Sequence, residues 1–399
     1  MTGTTRTTTP RTATPRTTTP RTTTRRTTGR APGRTGAAAA ATVLGLGLLA
    51  GCGGDSGADG SAGGATCDVG QRTIRPASAA PEENVRFETR GPGWIAGDSA
   101  YSVALPDGRT LWLFSDSFVG TVDRWDAPAQ DTAMVHNALV LERDDGTLDT
   151  RTSTRDGRPH AFFPDPSDQD YYWVQDGVVD GDELVVTLAR TQALPDQGFA
   201  WTGSAIARVS LPDLELLEIA ATPADRGIAW GAGLLQEEGT TFVYGVRDDG
   251  ATGRSLHLAR VPAGALTDRD RWRYWDGSGW ADQESAAATI TTGVANELSV
   301  SPVEDGYVLI SQQGDGIFSP EIRAWTACSP TGPWGEPSTV YETPESGRGR
   351  HVSYNAHAHP QLSDDGELLV SYNVNTFDFG ELVANPTLYR PRFVAVPTD

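Results

Sequence analysis

Lysine is absent from the 399 residues, so arginine is the only permanent side-chain cation; the bias points to GC-rich coding, not to chemistry. Cysteine is scarce, three in all, too few and too widely spaced for a zinc site. No G-x-S-x-G elbow and no phosphate-cradling glycine loop occurs, which removes serine-hydrolase and nucleotide-binding chemistry. No acidic residue falls within positions 1–35, and the apolar run that follows them is too short for a comfortable bilayer span. A long helical periodicity is missing as well.

What is present at the N-terminus is a loose repeat of Thr, Pro and Arg, then "AAAAATVLGLGLLAGC" from Ala37 to Cys52. A basic region, a short apolar run and small residues before a cysteine make an export signal, and Leu49-Ala50-Gly51-Cys52 reads as a lipobox. Residues 1–51 are therefore expected to be a signal peptide with its leader. Residues 52–69 are expected to be a lipid-bearing Cys52 and a Gly-rich tether, and 70–399 a folded domain. That organisation places the domain outside the cell, lipid-anchored at the outer face of the cytoplasmic membrane. Without the eight leader arginines, 24 basic residues face 52 acidic ones, a net charge near −28. Such a surface repels nucleic acid and anionic lipid and suits a neutral partner. Cys67 and Cys328 remain in an oxidising compartment and are expected to pair.

The folded part is written in short strands rich in Val, Leu, Tyr and Trp, divided by Asp-Gly and Pro turns. One unit recurs five times, at 97–118, 171–192, 228–249, 296–316 and 356–376: a small or polar residue, an apolar strand, a turn, a second apolar strand. Spacings of roughly 50–70 residues suit four-stranded blades and predict an all-β, five-bladed β-propeller. Residues 70–90 are expected to close the ring by completing a blade built mainly from the C-terminus.

In a propeller the first strand of each unit lines the central funnel. The hairpin "GDSAYSVALPDGRTLWLFSDSF" turns at Asp107-Gly108, so Asp98 and Asp116 are expected to share one end of it. Counting from the other turns adds Trp173, Trp230, Glu297, His357 and His359 from strand starts, and Arg190, Arg247, Gln313 and Asn373 from hairpin ends. Aromatic faces, amides, guanidiniums and carboxylates are what a sugar cleft needs, and two carboxyls there can hydrolyse a glycoside. Asp98 and Asp116 are taken as the acid/base pair, Glu297 as a third carboxylate. Trp173 and Trp230 are taken as stacking faces, with Arg190, Arg247, Gln313, His357 and Asn373 positioning hydroxyls. No metal or cofactor is expected; the sequence offers no support for a calcium ion in the funnel. Glu321 is expected to pair with Arg323 on an outer strand.

"GDSAYSVALPDGRTLWLFSDSFVG", "RWRYWDGSGW", "SPTGPW" and "YNAHAHPQLSDDGELLVSYNVN" resemble secreted actinobacterial five-bladed propellers grouped as domains of unknown function. Some relatives of that set are endo-D-arabinanases, and the wider likeness is to family-43 and family-32 glycosidases. The resemblance implies essential aspartates in the first blade, matching Asp98 and Asp116. Family-43 enzymes spread three carboxylates over three blades. This chain departs from that plan, with Asp176 in its second unit and only Trp230 at the corresponding start of its third. The reading is a monomeric surface lipoprotein that hydrolyses a furanose-containing polysaccharide such as arabinan or arabinogalactan. Its alternative is a non-catalytic propeller that binds cell-wall glycan or scaffolds a protein.

Overall fold

A computed structural model describes residue 67 and residues 73–88, 92–122, 131–195, 198–316 and 318–398. The leader, Cys52 and the tether lie outside the described residues.

Five antiparallel sheets form the blades of a propeller. Their innermost strands are Gly93–Ala104, Asp170–Asp180, Ala229–Glu237, Leu298–Val303 and His351–Ala358. Each packs on the innermost strand of the next blade, and Gly93–Ala104 touches His351–Ala358, so the ring is closed. All five start within or next to the repeated units seen in the sequence. The alternation of apolar and small residues along them has a physical reason: both faces of a blade are covered by neighbouring blades, so both must be apolar.

Five hydrophobic clusters fill the spaces between blades. Tyr101, Leu113, Val174 and Leu188 join blades 1 and 2. Val185, Trp230, Val243 and Trp272 join blades 2 and 3. Tyr244, Leu258, Leu298 and Trp325 join blades 3 and 4. Ile310, Ile322, Val370 and Val394 join blades 4 and 5. Phe87, Trp94, Trp112 and Phe393 complete the circle between blades 5 and 1, with Phe87 set edge-on to Trp112 at 4.9 Å between ring centres.

Ring closure uses the N-terminal segment. Ser78 and Ala79 add a two-residue outer strand to blade 5, pairing with Ala395 and Val394. The neighbouring Ala77 N–H donates to the Val340 carbonyl of blade 4 at 2.8 Å. Ahead of this short latch, Cys67 is disulfide-bonded to Cys328, just beyond the third strand of blade 4. The two halves cysteine of a bridge 261 residues apart restrict the unfolded chain strongly. Cys328→Ser is expected to destabilise the domain by roughly 2–4 kcal/mol. Reductant should lower the Tm of the wild type to that of the variant, and an unchanged Tm in both would show the bridge to be dispensable.

Candidate functional site

Blade 1 creates the site by a departure from regular pairing. Its first two strands, Gly93–Ala104 and Thr110–Gly120, pair Gly97 with Ser117 and then Ser99 with Phe114, skipping residues on the second strand. Ser99 and Ala100 follow in left-handed backbone, at φ 67° and 63°. That conformation is costly for residues with a Cβ and occurs where a bulge re-aims a side chain. Gly97 permits the close approach beside it: a Cβ there would lie 2.8 Å from the Asp116 carbonyl oxygen. The bulge brings Asp98 and Asp116 to one end of the funnel, where both line a cleft of about 930 Å³.

Asp98 is 9% exposed. One of its oxygens, Oδ2, accepts the Tyr354 hydroxyl at 2.7 Å and the Tyr389 hydroxyl at 2.6 Å. Burial, helped by the nearby Asp116 charge, pushes its pKa up to about 7 against the pull of the two tyrosines. Asp116 is more open. Its Oδ1 accepts from the Trp173 indole N–H at 3.0 Å and lies 3.0 Å from His136 Nδ1. His136 stacks on Tyr171 with ring centres 4.0 Å apart. Burial opposes its charge, but the bond to Asp116 and that carboxylate's field hold its pKa above the ordinary value. Glu297 also lines the cleft. It accepts the Ser99 hydroxyl at 3.0 Å, and burial, then the Asp98 charge, push it well above the usual carboxylate range.

Of the expected residues, the structure brings Asp98, Asp116, Glu297 and Trp173 together along one cleft. Trp230 is a correction: its ring is fully buried between blades, with its indole nitrogen 3.1 Å from Glu284, and has no face to offer a sugar. His357 and Asn373 are likewise fully buried and do not line the cleft. His357 stacks on Tyr101 at 3.9 Å, and burial lowers its pKa to about 4, so it is neutral. His359 is buried between the Ser102 and Ser371 hydroxyls. Arg190, Arg247 and Gln313 do not line the cleft; they are hydrogen-bonded to Asp170, Asp249 and Asp315 respectively. Each of these three found its partner within its own blade, one cross-strand and two at i+2, which a count from the turn cannot show. Asp176 is a partly buried acceptor for the Leu234 and Gly177 N–H groups that joins blade 2 to blade 3; loss of water pushes it up to about 7. Glu321 pairs with Arg323 at 2.8 Å.

Sequence reasoning missed His136, Tyr354 and Tyr389. His136 precedes the third strand of blade 1, and the tyrosines come from blade 5 and the turn before its last strand. Only the ring closure sets them beside Asp98. Phe199 and Trp201, from the third strand of blade 2, were missed too and line the cleft beyond Trp173. Among the described residues, no group of three or more His, Cys, Asp or Glu is placed to hold a metal ion.

Residues 82–398 match a family described as a domain of unknown function, DUF5005, and the chain belongs to that family. No curated protein matches it. Among solved structures, a Bacteroides ovatus protein provisionally named a hydrolase is similar over 82% of this chain and 92% of its own, at 20% identity and TM-score 0.67. A GH43_1 enzyme from Xanthomonas citri is similar over 81% and 90%, at 12% identity and TM-score 0.45. The α-L-arabinofuranosidase PaAbf62A from Podospora anserina is similar over 82% and 98%, at 12% identity and TM-score 0.45. At these identities the likeness is one of fold.

The raised pKa of Asp98 makes folding dependent on pH. The folded protein binds this proton more tightly than the unfolded chain, whose value is near 3.8. The stability this supplies is complete below about pH 4 and lost as pH rises towards 7. Asp98→Asn cannot ionise, so it is expected to match the wild type at pH 4 and exceed it by about 2–4 kcal/mol at pH 8. Denaturant titrations at both values check this; an equal difference at the two pH values would refute it.

Proposed function

We propose that this member of the DUF5005 family is a glycoside hydrolase, with Asp98 and Asp116 as its acid/base pair. The observation that carries the reading is the unequal setting of two adjacent carboxyls in one cleft. Asp98 is buried and keeps a proton near neutral pH. Asp116 is more exposed, and its Oδ1 takes the Trp173 N–H. Environments that separate two carboxyls in this way suit a general acid beside an acceptor. Asp98 gives its proton to the departing glycosidic oxygen. Asp116 takes a proton from the attacking water or attacks the anomeric carbon itself. Glu297 stands close enough to Asp98 to feel its charge and serves as the third carboxyl of the site. Trp173 offers an aromatic face beside the reacting bond.

A neutral furanose-containing polysaccharide, such as arabinan or arabinogalactan, is the substrate class in this reading. The strongly acidic chain favours a neutral polymer over an anionic one. The provisional hydrolase name of the similar Bacteroides ovatus protein agrees with it. So does the resemblance of the first-blade hairpin to endo-D-arabinanase relatives. The lipobox at Cys52 and the tether would hold the enzyme at the outer face of the cytoplasmic membrane, where such polymers lie. A propeller that binds glycan without cleaving it needs the same aromatics but no paired carboxyls of unequal setting.

Reducing-sugar release from arabinan and arabinogalactan tests the proposal. Asp98→Asn and Asp116→Asn are each expected to lower turnover by on the order of 10³-fold while leaving polysaccharide retention intact. Full turnover in both variants would end the assignment. Tyr389→Phe removes a hydrogen bond that favours the ionised form of Asp98. The high-pH limb of kcat/KM is therefore expected to move to higher pH, and a limb that stays in place would remove Asp98 as the acid.

A further inference from the structure

Adjacent carboxyls titrate as a pair, so a single proton can sit on either. Burial disfavours charge on Asp98, while the hydroxyls of Tyr389 and Tyr354 pull the other way. What settles the proton is therefore the setting of Asp116. Its carboxyl takes two hydrogen bonds, and both fall on Oδ1: the Trp173 indole N–H at 3.0 Å and His136 Nδ1 at 3.0 Å. Neither uses Oδ2. An ionised carboxylate only accepts, so Nδ1 carries a hydrogen and the tautomer of the ring is fixed. The ring is fixed in place too, stacked on Tyr171 with the planes 13° apart. His136, Tyr171 and Trp173 all line the cleft beside Asp116.

From this we infer that His136 is a positioning residue: by holding Oδ1 of Asp116 it keeps that carboxyl ionised, leaves the proton of the pair on Asp98, and frees Oδ2 as the reacting oxygen. This rests on the reading of Asp98 and Asp116 as an acid/base pair and adds what divides their roles. The charged and titratable groups around the ring fit the assignment. Asp116 reaches it from the second strand of blade 1, and Tyr171 from the innermost strand of blade 2. Asp165 acts on it from the segment that joins those blades. Asp165 in turn feels His160 and Arg155 of the small hairpin before it. Burial opposes charge on the ring, and the bond to Asp116 with the fields of Asp116 and Asp165 outweighs it. When the ring does lose its charge at higher pH, the proton leaves Nε2, and the Nδ1 bond to Asp116 stays.

The test titrates the histidine ring signals of the full chain by NMR, with His136 assigned by its loss in His136→Asn. Asp116→Asn is expected to lower the pKa of His136 by about one pH unit. An unchanged titration would overturn the inference whatever the protein hydrolyses. A lowered one, with no sugar released by the wild type, would sink the glycosidase reading and keep the pairing of His136 with Asp116. Kinetics on arabinan or arabinogalactan supply the second arm. His136→Ala is expected to lower kcat about 30-fold with KM within about twofold. The acid-side limb of kcat/KM, which reports ionisation of Asp116, is expected to move up by about one pH unit. His136→Asn sets an amide N–H where Nδ1 stood and is expected to recover most of the lost kcat. A ring that merely packs on Tyr171 gives a different result, with the limb in place and the Asn variant no better than the Ala variant; either finding would overturn the inference.

Discussion

The site depends on the backbone distortion that sets Asp98 beside Asp116. A regular hairpin would let Asp98 alternate with its neighbours and leave the two carboxyls on separate rungs. The glycine at 97 and the two left-handed residues at 99 and 100 bend the strand where the funnel opens. Such a distortion persists only if its surroundings over-determine it. Those surroundings are the aromatic packing of Trp94 on Phe114, with ring centres 4.3 Å apart, and the Ser99 hydroxyl bonded to Ser115 and Glu297. The core between blades 5 and 1 thus holds the chemistry in place.

Around the cleft the protein accepts an electrostatic cost. Asp98 is buried and Asp176 and Glu297 are partly buried, and each is pushed upwards chiefly by loss of water. Among the described residues no arginine is hydrogen-bonded or ion-paired to any of them; their hydrogen-bond partners are hydroxyls and backbone N–H groups, with the neutral His357 ring 3.9 Å from Glu297. Other acids do have arginine partners, as Glu183 has Arg208 at 2.5 Å and Glu142 has Arg86 at 2.7 Å. The one arginine of the cleft lining among the described residues, Arg254, is bonded to the Gly314 and Gly316 carbonyls, so these three carboxyls are left without the guanidinium partner that would hold them ionised.

The blades were legible because five copies of one pattern left little freedom. Each turn in the repeated unit fixed a hairpin, and the period fixed the blade size. The closing segment followed from the ring itself, since a blade short of one strand must borrow it. The site was legible only where it lay on a single hairpin, as with Asp98 and Asp116. Positions counted from a turn assume an unbroken two-residue alternation. Bulges between Trp230 and Gly233 and between Tyr354 and His357 break it. That is why Trp230 and His357, expected at the mouth, are inside. His136, Tyr354 and Tyr389 were invisible for another reason: nothing local marks a residue whose role comes from meeting a partner some 20 to 290 positions away.

The Cys67–Cys328 bridge has a mechanical side. The strand that closes the ring is two residues long and, by itself, would peel readily. Any pull on the chain ahead of Cys67 reaches the bridge before it reaches that strand. The load passes through covalent bonds into blade 4 and bypasses residues 68–79 altogether. The propeller can therefore be held from its N-terminal side without its latch ever carrying the tension.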